Sequence, residues 1–355
     1  MFSFIPSLDP RVAAKNLATI LVPQLDPLLF HGDIHRLRGM FHAYLEACPP
    51  PWPAPNLSVT PEINYQSELW LPLAQIKPVF ERFYRAALTF PPILSSSPFS
   101  NTSSWAAMAT VLPPFCGNSV NPSVLLEQLL YNAELRTKFL CWSFMPRRFY
   151  GSGSDRYPAQ TDYVREWLGQ RKQKKNVLRC LDVACGDGSA TYGLVRLIQQ
   201  QGNQTGRYVV EGWSLDPLEV WAAAHACFPH DTPRQIEFRV ILTQHFSAGL
   251  QRGMVFRSMD LEGIHSGHAP TEDGAGFDLI ICNGLLGGPI IHQPYRIETV
   301  VRNLSALLRP AGLLLAADHF HGGWKKNITA AALRELFASR GLKPISVGEG
   351  IGGVR

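Results

Sequence analysis

The fold is decided by one stretch, Leu178-Arg179-Cys180-Leu181-Asp182-Val183-Ala184-Cys185-Gly186-Asp187-Gly188-Ser189-Ala190. Its apolar start predicts a buried strand, its two glycines predict a tight turn, and a helix is expected to follow as far as Gln201. Gly186 allows the backbone to turn sharply, and Gly188 allows a ligand to lie against the backbone because no Cβ intervenes. The first N–H groups of the helix then face the bound molecule, as in a nucleotide-binding βα unit.

The spacing of the turn, Asp-x-x-x-Gly-x-Gly, narrows the class of ligand. The fingerprint of dinucleotide-binding proteins is G-x-G-x-x-G, and its third glycine is missing because Gly193 comes two residues too late. An NAD-dependent reductase is therefore a disfavoured interpretation of this turn.

Predicted strands alternate with predicted helices from residue 176 onward. The strands span residues 177–184, 208–215, 254–259, 277–282, 313–317 and 342–347, and the helices span 217–227, 295–308 and 327–340. Residues 234–250 have an ambiguous pattern that favours a helix. This alternation predicts an α/β fold with a doubly wound, mostly parallel sheet. Residues 348–355 are few and rich in glycine, so they do not predict the last strand of such a sheet.

Ligands bind such a sheet beyond the carboxyl ends of its strands, near the point where the strand order reverses. Asp216 follows the second strand and is placed to accept the ribose hydroxyls of an adenosine; the alternative is that it only caps the next helix. Met259 and Asp260 are placed to flank an adenine ring and its amine. The predicted cofactor-binding residues are Asp182, Ala184, Cys185, Gly186, Asp187, Gly188, Asp216, Pro217, Met259, Asp260, Leu261 and Asn283.

Four motifs in this half stand in a familiar order. They are Asp182-Val183-Ala184-Cys185-Gly186-Asp187-Gly188, Ser214-Leu215-Asp216-Pro217, Phe277-Asp278-Leu279-Ile280-Ile281-Cys282-Asn283 and Leu307-Leu308-Arg309-Pro310-Ala311-Gly312. With them, residues 176–348 resemble the Rossmann-like (class I) methyltransferases that use S-adenosylmethionine (SAM). The resemblance implies SAM as cofactor, S-adenosylhomocysteine (SAH) as product, and Gly186, Gly188, Asp216 and Asp260 as binding positions. That family usually ends its sheet with an antiparallel strand.

A narrower likeness is to the chemotaxis-receptor methyltransferases, which also place a helical region before the SAM domain. Residues 277–282 and the following Leu-Arg-Pro-x-Gly turn are similar to theirs. That family carries Arg-Asn after the corresponding cysteine, whereas Asn283 and Gly284 follow Cys282 here. Receptor glutamates are therefore the alternative acceptor, and a small molecule is the favoured one.

The first 150 residues predict a mostly α-helical N-terminal domain. Apolar residues recur at helical spacing in residues 34–47 and 78–88, and Asn121-Pro122 is typical of a helix start. We expect this domain to act as a lid, in substrate recognition or in homodimer formation. Residues 151–175 are predicted to be a connecting segment and helix, and residues 176–355 the SAM-binding domain.

Two histidines are the candidate catalytic residues. A protic acceptor needs a base to take its proton, and histidine titrates near neutral pH. His319 directly follows the fifth strand and His292 follows the fourth, so both are expected at the ligand-binding edge. Asp182 lies inside its strand and is expected to brace the glycine turn. No metal site is expected.

Composition limits the remaining classes. The chain has 355 residues and a net charge of +5, and its basic residues form no stripe interleaved with aromatics, so nucleic acid is not an expected partner. Its seven cysteines show no metal or disulfide spacing and are expected to be reduced thiols. The sequence offers neither a membrane span nor a secretory signal, and cytoplasmic localisation is expected. A SAM- or nucleotide-binding module without catalysis is the alternative from another class.

Overall fold

The computed structural model describes residues 1–48, 50, 52, 58–117, 120–145, 156–171, 177–202, 208–264, 276–288, 290–318 and 327–355. The chain divides into two compact units. The sheet unit comprises residues 1–13, 147–227 and 236–355, and the helical unit comprises residues 14–146 and 228–235. Residues 1–13 therefore do not belong to the helical unit, in contrast to the predicted N-terminal domain of residues 1–150. The reason is that their short strand joins the sheet.

The sheet has eight strands. They are β1 (Ser3–Phe4), β2 (Leu178–Val183), β3 (Tyr208–Ser214), β4 (Met254–Ser258), β5 (Phe277–Asn283), β6 (Leu308–Ala317), β7 (Lys343–Val347) and β8 (Gly350–Val354). Their order in space is β1-β4-β3-β2-β5-β6-β8-β7. The five neighbouring strands β4, β3, β2, β5 and β6 pair in parallel. The pairings of β1 with β4, of β8 with β6 and of β7 with β8 are antiparallel. The predicted α/β fold with a mostly parallel sheet is confirmed.

Thirteen helices are described. They are α1 (Pro10–Ile20), α2 (His31–Ala47), α3 (Pro61–Trp70), α4 (Leu73–Ala87), α5 (Trp105–Val111), α6 (Pro122–Tyr131), α7 (Ala133–Phe144), α8 (Pro158–Gln170), α9 (Ser189–Gln200), α10 (Pro217–His225), α11 (Thr232–Ser247), α12 (Pro294–Leu307) and α13 (Ala330–Ser339). Residues 234–250, for which the sequence favours a helix, lie mostly within α11.

The centre of the sheet is buried on both faces. Every residue of β2 is buried, and β5 supplies Phe277, Leu279 and Ile280 with no measurable exposure. Leu304 of α12 and Phe337 of α13 pack in the same cluster as Ile280. Such a strand reads as a continuous apolar run because helices cover it on both sides. This packing fixes the edge where the predicted site residues lie.

The last strand, β8, completes the sheet where the sequence predicted none. It pairs antiparallel with β6 on one side and with β7 on the other. A Cβ on Gly350 would lie 2.4 Å from the carbonyl oxygen of Ala316, and one on Gly353 would lie 3.0 Å from the Phe337 ring. The glycines that weaken the strand pattern are thus the residues that allow β8 to fit between its neighbours.

The helical unit has an aromatic core. The rings of Phe80 and Phe99 stack with centroids 4.6 Å apart, and those of Tyr84 and Phe139 stack at 6.1 Å. Helix α6 begins as predicted, with the Asn121 side chain accepting a hydrogen bond at the helix start. The buried association of these rings shows that this part of the chain has a core of its own.

All seven cysteines are free, and six of them are buried. Burial raises the pKa of the Cys282 thiol to about 12, and the negative charge of Asp182 acts in the same direction. Cys282 is therefore a packed thiol and not an activated nucleophile. Among the described residues, no helix combines the length and the apolar character needed to cross a membrane.

Candidate functional site

The loops beyond the parallel strands lie level with one another at one edge of the sheet. Three backbone hydrogen bonds continue the strand pairing into these loops: Cys185 N–H to the Trp213 carbonyl at 3.0 Å, Met259 N–H to the Ser214 carbonyl at 2.8 Å, and Gly284 N–H to the Ala317 carbonyl at 2.7 Å. The sequence placed its candidate residues in these same loops. The described ones therefore share the carboxyl edge of the sheet.

The turn after β2 has three residues in the left-handed backbone region. Ala184, Gly186 and Gly188 have φ values of +57°, +55° and +80°. The Gly188 N–H closes the turn by donating to the Cys185 carbonyl at 3.0 Å. Ala184 is exposed, and the Cβ of a residue in this conformation destabilises the fold by about 1–2 kcal/mol. Strain of this kind tends to be kept where a turn serves a ligand.

Gly188 is required for packing within the protein. A Cβ there would lie 2.9 Å from the Phe256 ring and 3.0 Å from the Ala223 Cβ. This contact corrects the expectation that the missing Cβ makes room for a ligand, because the space is filled by a strand and a helix of the sheet unit. Cofactor binding at the Gly188 backbone stays a prediction.

Two aspartates hold the start of α9. The Asp187 carboxylate accepts from the Ser189 N–H at 3.0 Å and from its hydroxyl at 2.7 Å. The buried Asp182 carboxylate accepts from the Thr191 hydroxyl at 2.6 Å. Asp182 thus ties β2 to the first turn of α9 across the glycine turn, which is the bracing role expected for it.

A cavity of about 290 Å³ lies within the sheet unit, and its lining includes Asp182 and Ala190, the residues on either side of the turn segment 183–189. Its lining residues come from α8, α9, β2 and β5 and from the residue that precedes α8. They are Tyr157, Gln160, Thr161, Val164, Arg165, Asp182, Ala190, Gly193, Leu194, Arg196, Leu197, Gln200, Ile281 and Asn283. The structure therefore brings together two of the predicted residues, Asp182 and Asn283, in one concave site.

Gln160 is the lining residue that sequence reasoning missed. Its amide is buried and forms a pair of hydrogen bonds with the Asn283 amide. Gln160 belongs to α8, which precedes the sheet motifs and was predicted only as a connecting helix. No sequence motif around Gln160 predicts a place in the site, because the residue reaches the cavity only through the position of α8 over β5.

Asp216 caps helix α10. Its carboxylate accepts from the Leu218 N–H at 2.8 Å, and Pro217 occupies the first turn. Burial raises the pKa of Asp216 from its ordinary value of 3.8 to about 8, and the charge of Glu219 adds to the increase. The capping role is thus observed, while ribose binding by Asp216 stays a prediction.

The loop after β4 is fixed by polar contacts to α12. Asp260 is exposed, and its carboxylate accepts from the Glu262 N–H at 2.9 Å. The Asn303 amide donates to the Leu261 carbonyl at 2.7 Å, and Arg296 forms an ion pair with Glu262. Met259 and Leu261 pack against the core cluster of β5 and α12. This segment presents one exposed carboxylate on an anchored backbone.

Of the two candidate bases, His292 lies within the described residues. His292 is exposed and lies just before α12. His319 lies outside the described residues, directly after the buried Asp318. The catalytic roles of both stay predictions.

The strand order separates the folds that share a glycine turn. The parallel strands β4-β3-β2-β5-β6 follow the doubly wound order that dinucleotide-binding domains also have. The next strand in the sheet, β8, is antiparallel to its neighbours. It is the last strand in the chain, yet it lies between β6 and β7, so β7 forms the edge of the sheet. It is the antiparallel strand that the sequence resemblance implied. The chain has the class I methyltransferase fold.

Solved structures with low sequence identity align with this methyltransferase fold. Magnesium protoporphyrin IX methyltransferase from Synechocystis, solved with SAM, is 18% identical, with 66% of this chain and 96% of that chain covered and a TM-score of 0.37. CalS10, an amino pentose methyltransferase from Micromonospora echinaspora, is 14% identical, with 59% and 99% covered and a TM-score of 0.37. The 4+2 cyclase SpnF is 18% identical with a TM-score of 0.33; the alignment covers 52% of this chain but spans only 58% of SpnF.

No protein-family model matches the chain, and no curated protein matches it.

Proposed function

We propose that the chain is a SAM-dependent methyltransferase that acts on a small-molecule acceptor. One observation carries the proposal. Asp182 and Asn283, from two adjacent strands of a class I methyltransferase sheet, line one cavity, and the turn that follows Asp182 in the chain is strained. Ligands of doubly wound sheets bind at this edge, and a left-handed alanine is maintained there at a cost in stability.

The side chains at this edge have the chemistry that SAM requires. The buried Asp182 carboxylate suits the ammonium of the methionine end, and the Asn283 amide suits its carboxylate. The exposed Asp260 carboxylate suits the exocyclic amine of adenine, with Met259 as an apolar neighbour. When bound, SAM supplies an electrophilic methyl group on a sulfonium. The chain then has to bind, orient and shield the reactants from water.

Proton removal from a protic acceptor is assigned to His319 or His292. A methyl group transferred to a hydroxyl or ammonium group requires loss of a proton, and a neutral imidazole accepts it at physiological pH. His292→Ala and His319→Ala should each be compared with the unaltered protein. The base is the residue whose loss lowers kcat while SAH affinity is retained.

The proposal is tested by calorimetry with the full chain. SAM and SAH should bind in the micromolar range or tighter, and NAD should not bind. A labelled methyl group from SAM should then appear in the small-molecule fraction of an extract. Absence of SAM and SAH binding at millimolar concentration would refute the proposal, and labelling of protein alone would move the acceptor to the receptor-type alternative.

The alternative of a binding module without catalysis has one observation in its favour. None of the described lining residues of the cavity is a histidine, lysine or cysteine. SAM binding without transfer to any fraction of several extracts would support that alternative.

A further inference from the structure

The side chains of Gln160 and Asn283 form a reciprocal amide pair in the wall of the cavity. Gln160 Nε2 donates to Asn283 Oδ1 at 3.1 Å, and Asn283 Nδ2 donates to Gln160 Oε1 at 2.7 Å. A carboxamide has two N–H donors and an oxygen with two lone pairs. The pair uses one donor and one lone pair of each amide, so each amide keeps a second donor and a second lone pair for a ligand.

The charges around the amide pair select a class of ligand. Asp182 contributes a buried carboxylate to the cavity, and the basic residues Arg165 and Arg196 also line it, with the Arg165 guanidinium ion-paired to Asp162. A ligand group that carries both an ammonium and a carboxylate matches this mixture, because each charge finds an opposite charge and the amides supply both donors and acceptors. The cavity is therefore complementary to a zwitterionic amino-acid end.

Helix α8, which carries Gln160, is held in place by Glu349, a residue far from it in the sequence. The Glu349 carboxylate accepts from the Ala159 N–H through Oε1 and from the Gln160 N–H through Oε2, both at 3.1 Å. A Cβ on the neighbouring Gly348 would lie 2.3 Å from the Ala159 Cβ, so the turn between β7 and β8 sits directly against the helix. A carboxylate at the start of a helix is also stabilised by the helix dipole.

We infer that Gln160 binds the amino-acid end of a SAM-type cofactor and that Glu349 is the positioning residue that holds it there. Gln160 offers its second N–H donor to the incoming carboxylate and its second lone pair to the ammonium, while its hydrogen bonds with Asn283 are kept. The inference rests on the proposed function and adds to it the residue that recognises the tail of the cofactor. It assigns Gln160 no contact with the adenosine part.

The test compares two ligands that differ only in their tail. SAH carries the amino-acid end, whereas 5′-methylthioadenosine lacks it. Gln160→Leu should weaken SAH binding roughly tenfold or more, since a hydrogen bond to a charged group is lost, and should change methylthioadenosine binding by less than about twofold. Equal weakening of both ligands, or of neither, would overturn the inference. If the unaltered protein binds neither ligand, the proposed function itself fails.

A second variant guards against a folding defect in Gln160→Leu. Gln160→Glu keeps the shape of the side chain but replaces the amide donor with an anionic oxygen. Because Asp182 already supplies an anion for the ammonium, the main effect should be loss of a donor to the carboxylate of SAH and repulsion of that carboxylate, with methylthioadenosine binding unchanged. Gln170→Leu, an exposed glutamine on the same helix outside the cavity, is the matched control and should bind both ligands normally. Thermal unfolding of each variant shows which of them are folded.

The role of Glu349 is tested through its effect on the same ratio. Glu349→Ala removes both acceptors from the start of α8 and should weaken SAH binding more than methylthioadenosine binding. Glu349→Gln keeps one acceptor and should restore part of the SAH affinity. A loss of stability in Glu349→Ala with no change in the ratio of the two affinities would show that Glu349 supports the fold alone.

Discussion

The two ends of the parallel sheet treat their polar groups differently. At the amino ends of the strands, the Asp278 carboxylate is buried and accepts from Arg171 at 2.7 Å, from Arg309 at 2.9 Å and from the Arg179 N–H at 2.9 Å. At the carboxyl ends, Ala184 is strained and Asp216 has a raised pKa. One end is built for stability, and the other retains two features that cost stability.

The largest expected effect is at the amino end. Asp278→Asn leaves two partly buried arginines without their carboxylate and should destabilise the protein by about 3 to 4 kcal/mol. Urea unfolding measures this change. SAH affinity should stay within about twofold, since the site lies at the other end of the strands. Glu298→Gln breaks an ion pair in which Glu298 is 53% exposed, and it should cost well under 1 kcal/mol. Equal losses in the two variants would show that burial adds nothing to the ion pairs of Asp278.

Gly188 gives the next largest effect and separates packing from backbone strain. Gly188→Ala forces a Cβ against Phe256 at a φ of +80° and should cost about 2 to 3 kcal/mol. Gly202 has the same φ and nothing within 4 Å of its Cβ position, so Gly202→Ala should cost only about 1 kcal/mol. Chemical unfolding of both variants gives the packing term as the difference. Identical costs would show that the Phe256 contact relaxes freely.

Asp216 should make stability depend on pH. Its folded pKa of about 8 exceeds its ordinary value of 3.8, so the folded state holds a proton that the unfolded state has lost. Its contribution is therefore greatest below pH 4 and falls as the pH rises towards 8, by up to about 1.4 kcal/mol per pH unit. Asp216→Asn keeps a good helix cap and should reduce this slope. An unchanged slope in unfolding experiments from pH 5 to 8 would contradict the raised pKa.

The smallest expected effect is at Ala184. Ala184→Gly relieves the left-handed strain but adds chain entropy to the unfolded state, so it should stabilise the protein by about 1 kcal/mol or less. SAH affinity should stay within about twofold if the backbone of the turn is unchanged. A destabilised Ala184→Gly variant would mean that the alanine side chain contributes to the turn in some other way.

The parts that the sequence predicted well depend on local signals. Residues 178–183 form a strand because four of the six, Leu178, Cys180, Leu181 and Val183, are apolar and can be buried in the sheet. Asn121 caps α6 because asparagine followed by proline favours a helix start. The two predictions that fell short, at Gly188 and in residues 348–355, share a cause. In both places a glycine is needed because a Cβ would collide with a residue that is distant in sequence. These residues are Phe256 for Gly188, Phe337 for Gly353 and Ala316 for Gly350.

The candidate site was predictable only where the strand ends mark it. Asp182 and Asn283 follow from the rule for doubly wound sheets, and the cavity contains both. Gln160 and Glu349 are far from each other and from the motifs in the chain, and only the folded arrangement of α8 and the β7–β8 turn relates them. Helix α4 also needed the fold to define it. It begins at Leu73, before the segment 78–88 that shows helical spacing, and it continues through Pro78 because its aromatic face is buried.

The placement of β8 between β6 and β7 links the sheet to the cavity as one cooperative unit. β8 follows both neighbours in the chain, so a β7–β8 hairpin formed locally has to dock onto β6 as a whole. Transient detachment of that hairpin would free the edge of β6 and withdraw Glu349 from α8 in the same event. The amide protons of β8 and of the first turn of α8 should then exchange with solvent at a common rate, and a ligand that clamps Gln160 would slow both.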